Sequence, residues 1–406
     1  PAPSPKPAAE TPRYGGIYVS YETANPPSLD SQQEGTINTL RLVAPFYTNL
    51  VQADPLNVGK WAPGLAEKWE VGKDGLTWTF DIRDGVKFHD GTLFAVDDAI
   101  FNLKRLTDPP KGVISQMSWL LKPVIKSIEK EGNKVKINLK SPYPIMLDAL
   151  GYLYSAIYSE KYIEKNGDMK TTAMGTGPFK LKSYSPGVSL EAVKNPDFWV
   201  KGRPYLDGYR YLIVKDEATR LAALKTGRVN MTEKRFAVVQ AKDLELLKKE
   251  LPDMKFYPTA SPLSPWFFMN TKKGPFQDIR VRQAVHLALD RQAALKVLGQ
   301  GQGIIGRHFP IDPWGIPQDE LLKMPGFRQP KDADLAQAKK LMADAGYPNG
   351  FEVDILSRQM VQGKDAAVFM TNQLAQLGIK AKVDVLEDVI FWDTGRKGNH
   401  LSLIHI

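Results

Sequence analysis

The chain has 406 residues and no cysteine. That excludes a disulfide framework, a thiolate metal site and a thiol nucleophile. Its five histidines, His89, His286, His308, His400 and His405, include no pair at the i, i+4 spacing that sets two imidazoles on one helix face for a metal. No stretch approaches the roughly 18 consecutive apolar residues of a membrane-crossing helix. GxSxG, P-loop and HExxH patterns are missing as well, so the hydrolase and nucleotide chemistries with short signatures find no support. Gly301-Gln302-Gly303-Ile304-Ile305-Gly306 satisfies GxGxxG, but a predicted helix leads in and Arg307-His308-Phe309-Pro310 follows. No strand precedes it and no helix opens to receive a pyrophosphate, so it reads as a loop. Neither a cofactor nor a metal is implied. Asp97-Asp98, Asp216-Glu217 and Glu387-Asp388 are adjacent carboxylates, but neighbours in sequence point in different directions and give no shared acid-base site.

A net charge of +9 raises the question of an anionic partner. The charge is spread along the chain, and the densest lysine run, Lys122 to Lys140, places Lys134, Lys136 and Lys140 in alternation with Val135, Ile137 and Leu139. That is a strand with one solvated, charged face, and lysines there also discourage edge-to-edge pairing. With no recognised motif beside it, nucleic acid is not an expected partner.

The most informative stretch runs from Gly64 to Leu106. Leu76, Trp78, Phe80 and Ile82 alternate with Thr77, Thr79, Asp81 and Arg83, a strand with one dry face. Asp84-Gly85 and Asp90-Gly91 supply turns, with His89 as a hydrogen-bonded turn residue. Val96, Ala99, Ile100, Leu103 and Leu106 then fall on one helical stripe, and Asp97 and Asp98 sit in the first turn, where the helix dipole favours negative charge.

The order of residues here, Pro63-Gly64-Leu65-Ala66-Glu67-Lys68-Trp69, Asp74-Gly75-Leu76-Thr77, Arg83 to Gly91 and Asp97-Asp98, closely resembles the signature region of the extracytoplasmic solute-binding proteins of family 5. That family serves ABC importers of oligopeptides, dipeptides, nickel and some sugars or opines. The resemblance implies an α/β, two-lobed, periplasmic-binding-protein-like fold of type II, with a hinge between the lobes and an inserted subdomain. It implies lobe I at 14–48 and 178–262, the inserted subdomain at 49–177, and lobe II, incomplete, at 263–400.

Along the chain, Pro1 to Arg13 carries five prolines in its first twelve residues and reads as a disordered tether of the kind left when a signal peptide, or a lipoprotein signal with its anchoring cysteine, has been removed. Tyr14 to Tyr21 reads as a strand and residues 36 to 53 as a helix. Gly175-Thr176-Gly177 lets the backbone approach a ligand or, the favoured reading, a neighbouring strand. Glu217 to Thr226 is helical with Gly227 at its end. Asp278 can cap a helix with the stripe Val281, Ala284, Val285, Ala288 and Leu289. The resemblance puts the crossing between lobes, and so the hinge, at Pro262 to Asn270. A strand at Phe351 to Ser357, a helix from Asp365 to Leu377 and a strand from Ile379 to Val385 form a βαβ crossover, hence a parallel pair. The last six residues, Leu401 to Ile406, are the translation of the end sequence of a common transposase-based sequencing adapter. The expectation is a truncated chain whose native sequence ends near His400, followed by a non-native tail at 401–406.

The function these residues imply through the resemblance is capture: an extracytoplasmic receptor, not an enzyme, that closes over a solute such as a di- or oligopeptide and delivers it to a membrane ABC permease. It would be a periplasmic or outer-face monomer whose membrane contact is an N-terminal lipid anchor. Candidate ligand-binding residues are Tyr21, Glu22 and Thr23 at the end of the first strand, Phe268 and Asn270 near the crossover, Arg358 after a second-lobe strand, and Trp392. A guanidinium can hold a carboxylate in two parallel hydrogen bonds, and an indole can stack on a side chain or sugar. The alternatives are a sugar, opine or chelated nickel in the same fold, a secreted hydrolase, and an anion-binding or adhesion module that uses the positive charge.

Overall fold

The computed structural model describes residues 12–22, 25–54, 57, 59–230, 241–255, 265–306, 315–359 and 361–405. The chain divides into two compact units, Pro1–Val239 and Gln240–Ile406.

In the first unit, β1 (Ile17–Glu22) is followed by α1 (Ile37–Val43), then by β2 (Val51–Ala53) and β3 (Trp61–Pro63), which pair antiparallel. The helix predicted over 36–53 therefore ends early. Pro45 lacks the N–H a continuing helix needs, a 3₁₀ turn takes over at Ala44–Phe46, and Val51–Ala53 finds a strand partner instead. Leu40, Leu42, Val43, Phe46 and Leu50 are all buried, so their helix-like spacing reflects the core around them rather than one element.

Next come β4 (Ala66–Val71), β5 (Thr77–Ile82), α2 (Val96–Thr107), α3 (Ser118–Leu121), β6 (Ile125–Glu131) and β7 (Lys134–Leu139). The four strands form one antiparallel sheet in the order β4-β5-β7-β6. The expected alternation holds: Trp78, Phe80 and Ile82 of β5 and Val135, Ile137 and Leu139 of β7 are buried. Because β7 lies inside the sheet, Lys134 and Lys136 do not guard an edge; they flank the carboxylates of Asp81 and Glu131. α2 packs its apolar stripe on β6 and β7, and Asp98 accepts from the Ala95 N–H at 2.9 Å to close its first turn.

After α4 (Met146–Gly151) and α5 (Glu160–Asn166), the chain returns to its first strand. β8 (Phe179–Ser185), β9 (Ser189–Lys194) and β10 (Gly208–Ile213) build a sheet ordered β1-β10-β9-β8, with β1 parallel to β10, and α6 (Glu217–Lys225) follows. Gly175 and Gly177 meet the backbone of Pro45 and Phe46 so closely that a Cβ at either would overlap it. Packing, not space for a ligand, explains both glycines.

A buried polar network ties three distant stretches of this unit together. Arg105 of α2 donates to Gln32 Oε1 at 2.6 Å and lies 3.5 Å from Asp30 Oδ2. Tyr158 Oη donates to Asp30 Oδ1 at 3.1 Å. The Gln32 amide donates to Asn102 Oδ1 and Ala156 O. Asn102 in turn donates to Asp98 O and Tyr158 O and accepts from Tyr158 N, so all four of its amide positions are used. Asp30, Gln32, Asn102 and Tyr158 are fully buried.

The second unit contains α7 (Ala241–Glu250), β11 (Trp266–Met269), α8 (Ile279–Ala288), α9 (Arg291–Val297), α10 (Gln318–Leu321), α11 (Asp332–Asp344), β12 (Glu352–Arg358), α12 (Val361–Ala375), β13 (Lys380–Leu386), α13 (Asp388–Arg396) and β14 (Ser402–His405). Its sheet runs β11-β14-β12-β13. β12 and β13 are parallel, as the predicted crossover requires, and α12 connects them. Ser402 to His405, in the stretch expected as a non-native tail, lie between β11 and β12. Asp278 caps α8 as expected, accepting from Arg280 N at 2.8 Å. The core gathers Phe276, Val281, Val285, Met342, Ile355 and Leu374.

His89 closes the turn before α2. Gly175 N–H donates to Nδ1 at 3.3 Å, and Nε2 faces Gly177 O at 3.1 Å, so the neutral tautomer with its proton on Nε2 satisfies both. Burial pushes the imidazole down from 6.5 to about 4, helped by Lys180 and opposed by the Gly177 carbonyl and Asp90. The unfolded chain therefore takes up more protons between pH 6.5 and 4, and this contribution to stability is complete above 6.5 and lost as pH falls toward 4. Two outcomes are expected in urea unfolding. The stability of the parent relative to His89→Gln should fall by at most about 3 kcal/mol from pH 7 to pH 4. At pH 7, Asn102→Ala should cost about 3 kcal/mol, with the denaturant slope unchanged, because it strands buried backbone and amide groups.

Candidate functional site

In α/β units, ligands gather at the carboxyl ends of parallel strands, because side chains of several strands and the following helices converge there. Among the described residues, each unit has one such edge.

In the first unit the edge is made by β1 and β10. Tyr21 and Glu22 stand in register with Leu212 and Ile213. Tyr21 is buried, and the Arg220 guanidinium of α6 lies 5.6 Å from its ring centroid. Arg220 is held there by bonds from Nη1 to Val214 O at 3.0 Å and Lys215 O at 2.6 Å. The Glu22 carboxylate is wholly buried, 3.3 Å from Nη2 of Arg41 on α1. Thr23 lies outside the described residues.

In the second unit the edge is made by β12 and β13. Arg358, the last residue of β12, is in register with Leu386, the last of β13, and α13 begins two residues later. This brings two of the sequence-predicted residues together: the Arg358 guanidinium lies 5.8 Å from the ring centroid of Trp392 on α13. Trp392 keeps 37% of its surface exposed. A guanidinium over an indole is attracted to the negative ring face. The pair presents a cation and an apolar plane side by side.

Phe268 and Asn270 are neighbours of a different kind. Phe268 is 45% exposed on β11, stacked beside Trp266 with ring centroids 6.2 Å apart. The Asn270 amide donates to His400 O at 2.8 Å and Gly398 O at 3.2 Å, and its oxygen accepts from Lys272 N, so it is spent on local structure. Of the proposed hinge, Pro262 to Ser264 lies outside the described residues.

Sequence reasoning missed Arg41 and Arg220. Both left a signal: Arg41 interrupts the otherwise apolar Leu40-Arg41-Leu42-Val43, and Arg220 sits beside Leu221-Ala222-Ala223-Leu224. A cation inside an apolar helical run is rarely buried without a partner.

Comparison with known proteins adds the following. The family model for bacterial extracellular solute-binding proteins, family 5, middle region, matches residues 60–404. Heme-binding protein A of Haemophilus influenzae is 31% identical over 346 residues, covering 78% of this chain and 60% of that protein. Glutathione-binding protein GsiB of Salmonella typhi is 30% identical over 325 residues, 80% of this chain and 60% of that protein. Among solved structures, the ABC transporter-associated periplasmic binding protein DppA from Helicobacter pylori, in complex with the peptide STSA, matches with a TM-score of 0.81 at 26% identity, covering 97% of this chain and 78% of that one. The chain spans about 60% of the length of the curated relatives it matches.

The Glu22–Arg41 pair yields a test of role. Removing one partner of a buried pair leaves an uncompensated charge, so Arg41→Met should destabilise by roughly 3–5 kcal/mol, and adding Glu22→Gln should recover part of that loss. Chemical unfolding of the three variants checks it; a double variant no better than Arg41→Met would show that the two side chains are not coupled.

Proposed function

The chain belongs to the bacterial extracellular solute-binding proteins of family 5, and from that premise we propose that it is an extracytoplasmic receptor that captures a peptide-type ligand and passes it to a membrane ABC importer. Its relatives are solute-binding proteins rather than enzymes, and its fold is the two-lobed α/β fold of periplasmic binding proteins. Among the described residues, no helix is long and apolar enough to cross a membrane.

The observation that carries the ligand assignment is the Arg358–Trp392 pair at the carboxyl edge of β12 and β13. A peptide offers a carboxylate for the guanidinium and a side chain for the indole, and bidentate Arg–carboxylate geometry gives orientation as well as energy. In this reading Tyr21, Glu22, Thr23, Phe268, Asn270, Arg358 and Trp392 belong to or border the ligand site. Lobe I comprises 14–48 and 178–262, the inserted subdomain 49–177 and lobe II 263–400. Closure about a hinge near 262–270 is driven only by the ligand's greater affinity for the closed form, which a permease then recognises. The receptor works as a monomer on the outer side of the cytoplasmic membrane.

Native mass spectrometry of the purified protein, followed by denaturing release, tests the reading. A bound species of peptide mass is the expected result. A released haem, sugar or chelated metal would keep the receptor and overturn the peptide. Turnover of peptides or glycans would overturn the receptor itself. Arg358→Ala should weaken a carboxylate-bearing dipeptide at least tenfold by calorimetry; unchanged affinity removes Arg358 from the site.

A further inference from the structure

The first unit holds a pocket of about 410 Å³ walled by α1, the turn that follows it, the β2–β3 hairpin and the loop after α4. Its size lies at the small-ligand end of binding cavities. Leu40 and Val43 give it an aliphatic floor, and Trp61 and Tyr152 give it aromatic walls. The Trp61 indole lies directly on the backbone of Gly151, where any Cβ would overlap the ring. Tyr152 is 52% exposed and pairs with Tyr154 at 4.9 Å between ring centroids. Tyr154 Oη is anchored in turn to Gly35 O at 2.8 Å. The wall is held in place rather than draped.

Thr48, Asn49 and the phenol-bearing Tyr47 of this lining are more than nine-tenths buried. The orientation of the Asn49 amide is fixed by chemistry. Its nitrogen lies 3.1 Å from Leu150 O and 2.6 Å from Tyr152 O, and only an NH₂ can donate to two carbonyls. With both hydrogens committed, the polar atom that Asn49 can still offer is Oδ1, which hydrogen bonds to no described residue. Thr48 Oγ1 likewise has no hydrogen bond among the described residues. A preset acceptor at Asn49 Oδ1 and a hydroxyl that can accept at Thr48, among apolar and aromatic walls, favour a flat, apolar group that brings a single donor of its own.

We propose that this pocket is a binding site for a planar aromatic group carrying one N–H or O–H donor, an indole or phenol, with the ring between Trp61 and Tyr152 and the donor on Asn49 Oδ1 or Thr48 Oγ1. The pocket lies wholly within the first unit and is independent of the receptor reading.

Indole is the probe and 1-methylindole, the same ring without the N–H, is its control. Titration of the 406-residue protein by calorimetry, supported by saturation-transfer NMR, should show saturable indole binding and at least fivefold weaker 1-methylindole binding. Tyr152→Ala, at a half-exposed position, should weaken indole at least fivefold while the thermal midpoint stays in place. Thr48→Val, equal in shape, reports which oxygen takes the donor: a further loss assigns Thr48, and unchanged affinity assigns Asn49. Absence of indole binding at millimolar concentration, equal affinity for the two probes, or indole affinity untouched by Tyr152→Ala overturns the proposal.

Discussion

The first unit depends on a salt link that water never reaches. Arg105 faces Asp30 and Gln32, and without it a carboxylate would stand uncompensated in the interior. The same carboxylate receives Tyr158 Oη, which burial keeps protonated, and the phenol oxygen in turn accepts from Gln32 N–H at 3.2 Å. Gln32 and Asn102 extend the link to the backbone of 156–158 and to α2. Three stretches far apart in sequence are thereby held at one point, and each hydrogen bond is made in a dry medium where an unmade partner costs more than a made one gains. α2, the loop that leads out of β1 and the stretch 156–158 are joined through it.

Much of this architecture was legible beforehand. The period-two run through Trp78, Phe80 and Ile82, the stripe from Val96 to Leu106, the cap at Asp278 and the β12–α12–β13 crossover each followed from local chemistry, and each stands close to where the residues put it. The failure at 36–53 has the opposite character. Its apolar spacing was set by a shared core, and Pro45 together with a partner strand decided the outcome. The buried network was illegible for the same reason: nothing within reach of Asp30 in sequence announces Arg105 or Tyr158.

The candidate site divides along the same line. Arg358 and Trp392 could be nominated singly from side-chain chemistry, while their meeting depends on the register of β12 with β13 and on the start of α13. Glu22 could be nominated too, but its burial against Arg41 makes it a support for β1. Polar residues in such strands have two employers, the fold and the ligand, and composition does not say which. The aromatic pocket beside Asn49 shows the converse, since no motif marks it and its chemistry emerges only when α1, a hairpin and a distant loop are assembled.

The pairing of β1 with β10 also governs when the first unit can exist at all. Gly16 and Asp207, which hydrogen bond beside that ladder, are 191 positions apart in the chain. Closing so long a loop carries an entropic cost that must be met before any ladder bond forms, which makes such pairings slow. During synthesis, β1 emerges first yet has no parallel partner until β10 has been made. The leading segment is thus a late joiner, and the chain stays open and threadable until most of the unit has left the ribosome.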